Sequence, residues 1–230
     1  LLSRFLHPSD IRGEFIQASY RSSAAILGIA IIQNLYGNAG MAPLMIIASV
    51  PLYNVMAVVV LSVFKPGQGK IDGTVLKRTL KGIVTNPIIL GIAAGTLWSL
   101  LRLPFPKILD STAGNLAKTA TPLGLMAMGG SLHFGKAFSR LKASVACTFM
   151  KLVGYEALFL PLAIRCGFTK DKLVSIIIML GSASTVTCFV MAKNMEHEGS
   201  FSSGVVLLTT LFSAFTLTLW LFICKGLGLI

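Results

Sequence analysis

The sequence predicts an all-α integral membrane protein with about seven spanning helices, and three observations carry that prediction. Only 12% of the 230 residues are charged and 54% are hydrophobic, against roughly 25% charged residues in a soluble domain; a water-soluble fold would expose large apolar patches. The apolar residues fall in runs of about 18–25 residues, long enough to cross a bilayer as a helix. The Lys and Arg behind the formal charge of +12 stand in short groups between those runs. Topology signals are distributed in this way, whereas a nucleic-acid partner would require one basic tract interleaved with aromatics.

Seven segments, each bounded by charges or by Gly and Pro, are expected to span: Phe15–Tyr36, Met41–Phe64, Asn86–Leu103, Ile108–Leu132, Ala143–Ile164, Leu173–Met191 and Val205–Ile223. The first contains "RSSAAILGIAIIQN", a hydroxyl and small-residue patch in an apolar run. The second contains "SVPLYNVMAVVV", with Pro51 one turn before Asn54. The longest polar connection follows, Lys65–Thr85, where Pro66, Gly67 and Gly69 stop a helix and "VLKRTLKGIV" has the spacing of a short helix lying in the interface. It divides the chain into residues 1–64, a cytoplasmic linker over 65–85, and residues 86–230. The fourth segment is polar over its first half, "DSTAGNLAKTATPLG", and Pro122 is a candidate break. The fifth carries Lys151 and Glu156 inside apolar sequence. The sixth contains "GSASTVTCFVMAKN", from Gly181 to Asn194, with Ser182, Ser184, Thr185 and Thr187 at mid-span.

Loop charges orient the bundle. Lys65, Lys70, Lys77, Arg78, Lys81, Lys136, Arg140, Lys142, Lys193 and the N-terminal Arg4, Arg12 and Arg21 make twelve on one side, against seven on the other. The excess marks the cytoplasmic side. This count groups Arg21 with the loop charges before the first helix although Phe15–Tyr36 contains it, and the chain ends outside.

The chain opens on Leu1 inside a polar stretch, and it is expected to continue upstream. Shifting the sequence by 162 positions places Ser22 on Ser184, Ser23 on Thr185, Ala30 on Ala192 and Asn54 on Thr216. Each hydroxyl patch is followed by one more spanning segment. At that offset the equivalent of Asn86 would fall about 75 residues before Leu1, so about three helices would precede it and the repeat unit would be five helices, an odd number that inverts the second copy.

Hydroxyls in the middle of a spanning helix have two explanations. Gly181, Ser184 and Thr185 can form a small-residue packing face. Alternatively the helix is interrupted there, and its freed backbone groups and hydroxyls meet a solute at the midplane, as in inverted-repeat transporters. Two such patches at equivalent positions favour the second. Asn54 is either an interhelical hydrogen-bonding group or a site residue. Lys151 and Glu156 are five residues apart, a spacing that does not share one α-helical face, so each is read as a coupling or structural charge with its partner elsewhere. His7, His133 and His197 are separated and read as solvated loop residues, with no HExxH spacing. Cys147, Cys166, Cys188 and Cys224 form no metal spacing and read as buried free thiols. No GxSxG or intramembrane Asp pair is present, so no metal, cofactor or enzymatic activity is expected.

The successive stretches "RGEFIQASYRSSAAILGIAIIQNLYG", "VPLYNVMAVVVLSV", "TNPIILGIAAGTLWSLL", "ATPLGLMAMGGSL" and "STVTCFVMAKNM…VVLLTTLFSAFTLTLWL" resemble helices of the auxin efflux carrier family, which includes bacterial malate permeases and the plant PIN proteins. The resemblance spans nearly the whole chain and would correspond to the fourth to tenth helices of a ten-helix inverted-repeat transporter. It implies crossed, broken fourth and ninth helices, matching Phe15–Tyr36 and Leu173–Met191, with Ser22 and Ser23 facing Ser184, Thr185 and Thr187 across a substrate site. It implies that Lys151 stands in for a coupling ion. Plant members carry an Asn-Pro pair at each crossing, where this chain has hydroxyls and Ala.

The function expected is secondary transport of small organic anions, malate-like carboxylates or auxin-like weak acids, by alternating access in the plasma or inner membrane. The expected partners are the anion, the lipid bilayer, a coupling proton and a second copy of the chain. Two rivals stay open: a bile-acid-type sodium symporter, and a membrane receptor that binds solute without moving it.

Overall fold

The structure, a computed structural model, describes residues 9–67, 73–102, 104, 106–131, 135 and 139–230. The described residues are helical and irregular, with no strand among them. After a short turn at Ser9–Ile11 come α1 (Arg12–Tyr20), α2 (Ala24–Tyr36), α3 (Ala42–Val63), α4 (Gly73–Thr85), α5 (Pro87–Leu100) and α6 (Lys107–Gly130). Then follow α7 (Leu141–Arg165), α8 (Lys170–Gly181), α9 (Thr187–Asn194) and α10 (Ser200–Gly226).

Three of these, α3, α7 and α10, are long and apolar enough to cross a membrane as single helices, and the end of α4 with α5 would make a fourth span bent by 53°. The bend falls at Asn86, whose side chain accepts from the N–H groups of Ile88 and Ile89 at 3.0 and 3.3 Å while Pro87 opens α5. A fresh N-cap followed by a proline starts a new helix instead of extending the old one. Two expected spans are discontinuous: the first is α1 and α2, and the sixth is α8 and α9. Pro122, the candidate break in the fourth segment, lies inside a continuous α6. A residue with φ already suited to a helix is accommodated by the loss of one backbone bond.

The core is built between helices far apart in sequence. Ala24 and Ile32 of α2 pack with Met45 of α3 and Val174 and Ile178 of α8. Leu160 and Ala163 of α7 pack with Leu173 and Ile177 of α8 and Leu217 and Cys224 of α10. Phe15 and Ala18 of α1 meet Cys147 of α7 and Phe201 and Val205 of α10. α6 touches this bundle through Met128, which packs on Cys188, Phe189 and Val206. α5 buries no residue of its own among those described.

One polar joint locks the ends of three helices. Glu14 of α1 is buried, and its carboxylate accepts from Gly199 N at 2.9 Å and from Ser202 N and Oγ at 2.8 Å. It therefore caps the N-terminus of α10 from another helix, where a negative charge also suits the dipole. Beside it His197 is buried, with Nε2 2.9 Å from the carbonyl of Leu61. This corrects the expectation of a solvated loop histidine: the α9–α10 connection folds under α3, and Gly13 leaves room for the imidazole. His7 and His133, like Arg4, Lys70 and Lys136, lie outside the described residues. Cys147, Cys188 and Cys224 are buried as expected, but Cys166 is exposed because it follows the last turn of α7.

Candidate functional site

The two discontinuous spans meet break to break. α1 ends at Tyr20, Arg21 turns extended (φ −74°, ψ 129°), and α2 restarts at Ala24. α8 ends at Gly181, Ser182 is extended (φ −73°, ψ 158°), and α9 restarts at Thr187. Ser23 N donates to the carbonyl of Ala183 at 2.8 Å, joining the breaks through main chain. The hydroxyls of Ser22 and Ser182 lie 2.6 Å apart.

Interrupting a helix in an apolar interior leaves backbone groups without partners, each costing about 1–3 kcal/mol if unmet. The hydroxyls meet several of them here. Ser184 Oγ donates to the Ala18 carbonyl in the last turn of α1 at 2.8 Å, and Ser184 N donates to Thr209 Oγ1 of α10 at 3.0 Å. Ser22 and Ser184 are accordingly pins of the crossing, buried to 5% and 3% exposure. Ser23, Thr185 and Thr187 lie nearer the surface of the junction. With Ser184 they line a cavity of about 900 Å³ whose other walls include Thr121 of α6 and Thr210 of α10.

Arg21, counted from sequence as a loop charge, is instead buried at 5% exposure in the first break. Its Nε donates to Thr185 Oγ1 at 3.0 Å, its Nη1 to Met191 Sδ at 3.0 Å and its Nη2 to Asn54 Oδ1 at 2.6 Å. Asn54 is tied in turn by Nδ2 to the Val50 carbonyl at 2.8 Å. The guanidinium thus gathers Asn54 and Thr185, two of the residues singled out in the sequence, into one cluster. The signal that could have found it is length: Arg12–Tyr36 is itself of spanning length, and Arg21 stands near its middle.

Lys151 and Glu156 flank the same junction. Lys151 is fully buried, and its Nζ reaches Ser22 Oγ at 3.5 Å. It sits in a π turn, Met150–Gly154, that interrupts α7. Because π turns close i to i+5 bonds, residues five apart come toward one side, which α-helical spacing did not anticipate. The two charges interact without forming an ion pair among the described residues. The wider turn also turns the Leu152 carbonyl to Trp220 Nε1 of α10 at 3.2 Å. Glu156 is fully buried against Gly181, with neither carboxyl oxygen hydrogen-bonded to a described residue. Thr216, the offset partner of Asn54, stays out of the site and bonds carbonyls of its own helix. No cluster of His, Cys, Asp or Glu with metal-binding geometry occurs among the described residues.

Comparison with curated proteins gives no match. The family model described as membrane transport protein matches residues 1–221, nearly the whole chain and all of the helices that form the crossing. The chain therefore belongs to the membrane transport protein family, the auxin efflux carriers and their relatives.

Proposed function

We propose that the protein is a secondary carrier of small organic anions, malate-like carboxylates or auxin-like weak acids, that works by alternating access in the cytoplasmic membrane of its cell. The observation that supports this best is the direct joint between the two interrupted helices, Ser23 N to the Ala183 carbonyl. A small-residue packing face needs no break in either helix, whereas a solute site at mid-membrane needs irregular backbone that faces protein or a cavity and not lipid. The neighbouring cavity gives a solute access to Ser23, Ser184, Thr185 and Thr187.

In this reading α1–α3 and α7–α10 move as one body that carries the crossing, and α5 and α6, which bury little against them, belong to the static part. The architecture it implies is an inverted repeat related through the two breaks, with Lys151 taking the place of a coupling ion. Counterflow of labelled malate in proteoliposomes of the full-length protein tests the proposal. Exchange that needs no sodium is the expected result. Saturable binding with no exchange would replace the carrier with a receptor, and exchange that requires sodium would favour a bile-acid-type symporter.

A further inference from the structure

We infer that Arg21 receives the carboxylate of the transported anion, with Asn54 and Thr185 as the neutral groups that aim its guanidinium. The inference rests on the carrier reading and supplies the residue that gives the site its preference for negative charge.

The geometry favours a ligand-binding role over a purely structural one. A buried Arg that exists to hold a fold is normally matched by a carboxylate, because an uncompensated charge in an apolar interior is costly. Arg21 has no carboxylate at ion-pair distance among the described residues. Glu14, the acid on the same short helix, is committed to the N-terminus of α10. The three acceptors around Arg21 are an amide oxygen, a hydroxyl and a thioether. All are neutral, and the thioether is a weak acceptor. A guanidinium has five N–H donors in a planar fork that fits a carboxylate through two parallel bonds, and three contacts do not exhaust it.

Position supports the same conclusion. The three acceptors come from three separate elements, α3, the α8–α9 break and α9, so the head group is held at the point where the interrupted helices meet. Thr185 Oγ1, 3.0 Å from Nε, belongs to a residue in the wall of the large cavity. An anion entering the cavity meets that hydroxyl with the cation next to it. Lys151, 3.5 Å from the hydroxyl of the adjacent Ser22, adds a second positive charge to the same break.

Two substitutions in the full-length protein test this. Arg21→Gln removes the charge, and Asn54→Asp places a carboxylate where Asn54 Oδ1 now sits, 2.6 Å from Nη2. That built-in carboxylate should occupy the guanidinium and compete with the ligand. Binding is read in detergent as the thermal shift produced by malate, with the uncharged diamide malamide as control, and exchange is read by malate counterflow in proteoliposomes. Wild type should be stabilised by malate and not by malamide, and Arg21→Gln and Asn54→Asp should each weaken malate binding about tenfold or more, as expected for loss of a charge-assisted contact. Asn54→Asp exchanges the Nδ2 bond to the Val50 carbonyl for an ion pair with Arg21 and should unfold near the wild-type temperature without ligand, which keeps the test valid if Arg21→Gln does not fold. Wild-type malate affinity in Asn54→Asp, or in a folded Arg21→Gln, would overturn the assignment of Arg21. If counterflow persists in that variant, the carrier reading stands without Arg21. If wild type binds malate through Arg21 but never exchanges it, the anion site stands and the carrier reading falls.

Discussion

Glu156 lies so close against Gly181 that a β-carbon added at position 181 would overlap its Oε1. The fit places an acid beside the last residue of α8, directly before the second break. It also makes Gly181 a packing requirement and not a conformational one, since its φ is not positive.

Gly181→Ala should therefore destabilise the protein by about 1–3 kcal/mol, the usual cost of overpacking. Adding Glu156→Ala in that background should recover part of the loss, because contacting residues do not behave additively. Thermal unfolding of the single and double variants checks this; strict additivity would contradict the contact.

The trans cap on α10 predicts a second effect. Glu14→Ala leaves Gly199 N and Ser202 N without their acceptor and removes a charge-assisted pair of bonds, so a loss of about 2–3 kcal/mol is expected. Ser202→Ala should cost less, since only the hydroxyl contact is lost. Denaturation midpoints of the two variants give the ranking.

Lys151 should separate stability from function. It is a buried cation with one long hydrogen bond, and replacing such a charge with an apolar side chain of similar length is often neutral or stabilising. Lys151→Met is expected to unfold no lower than wild type, yet to slow malate exchange. Equal exchange rates in the two proteins would remove Lys151 from the transport cycle.

The thiols offer a test of the fold itself. Cys166 is exposed while Cys147, Cys188 and Cys224 are buried, so brief treatment of the folded protein with a maleimide should label Cys166 first, as read by peptide mass spectrometry. Comparable labelling of Cys188, which lies beside the crossing, would mean that the junction opens readily.

Much of this architecture was legible because a bilayer constrains sequence strongly. Apolar length located α3, α7 and α10 within a few residues, and hydroxyls at the middle of two spans marked where α1 gives way to α2 and α8 to α9. Other features carried no local signature. The π turn in α7 changes which side Glu156 takes relative to Lys151, and it arises where α7 packs on α10 through Leu152 and Trp220. His197 was misread because a histidine between two helix ends resembles a solvated loop until α3 is known to cover it.

The sequence alone determined that the chain lives in a membrane, where the long apolar helices α3, α7 and α10 fall, and that two further apolar segments contain polar centres; hydrocarbon tolerates so few polar groups that each is visible against its background. Tertiary structure decided what those centres do. Ser22 and Ser184 became pins, and Arg21 moved from an apparent loop charge to the buried centre of the junction. Its partners, Asn54, Thr185 and Met191, lie 33 to 170 residues away. A charge finds compensation in three dimensions, and no window along the chain contains the groups that surround it.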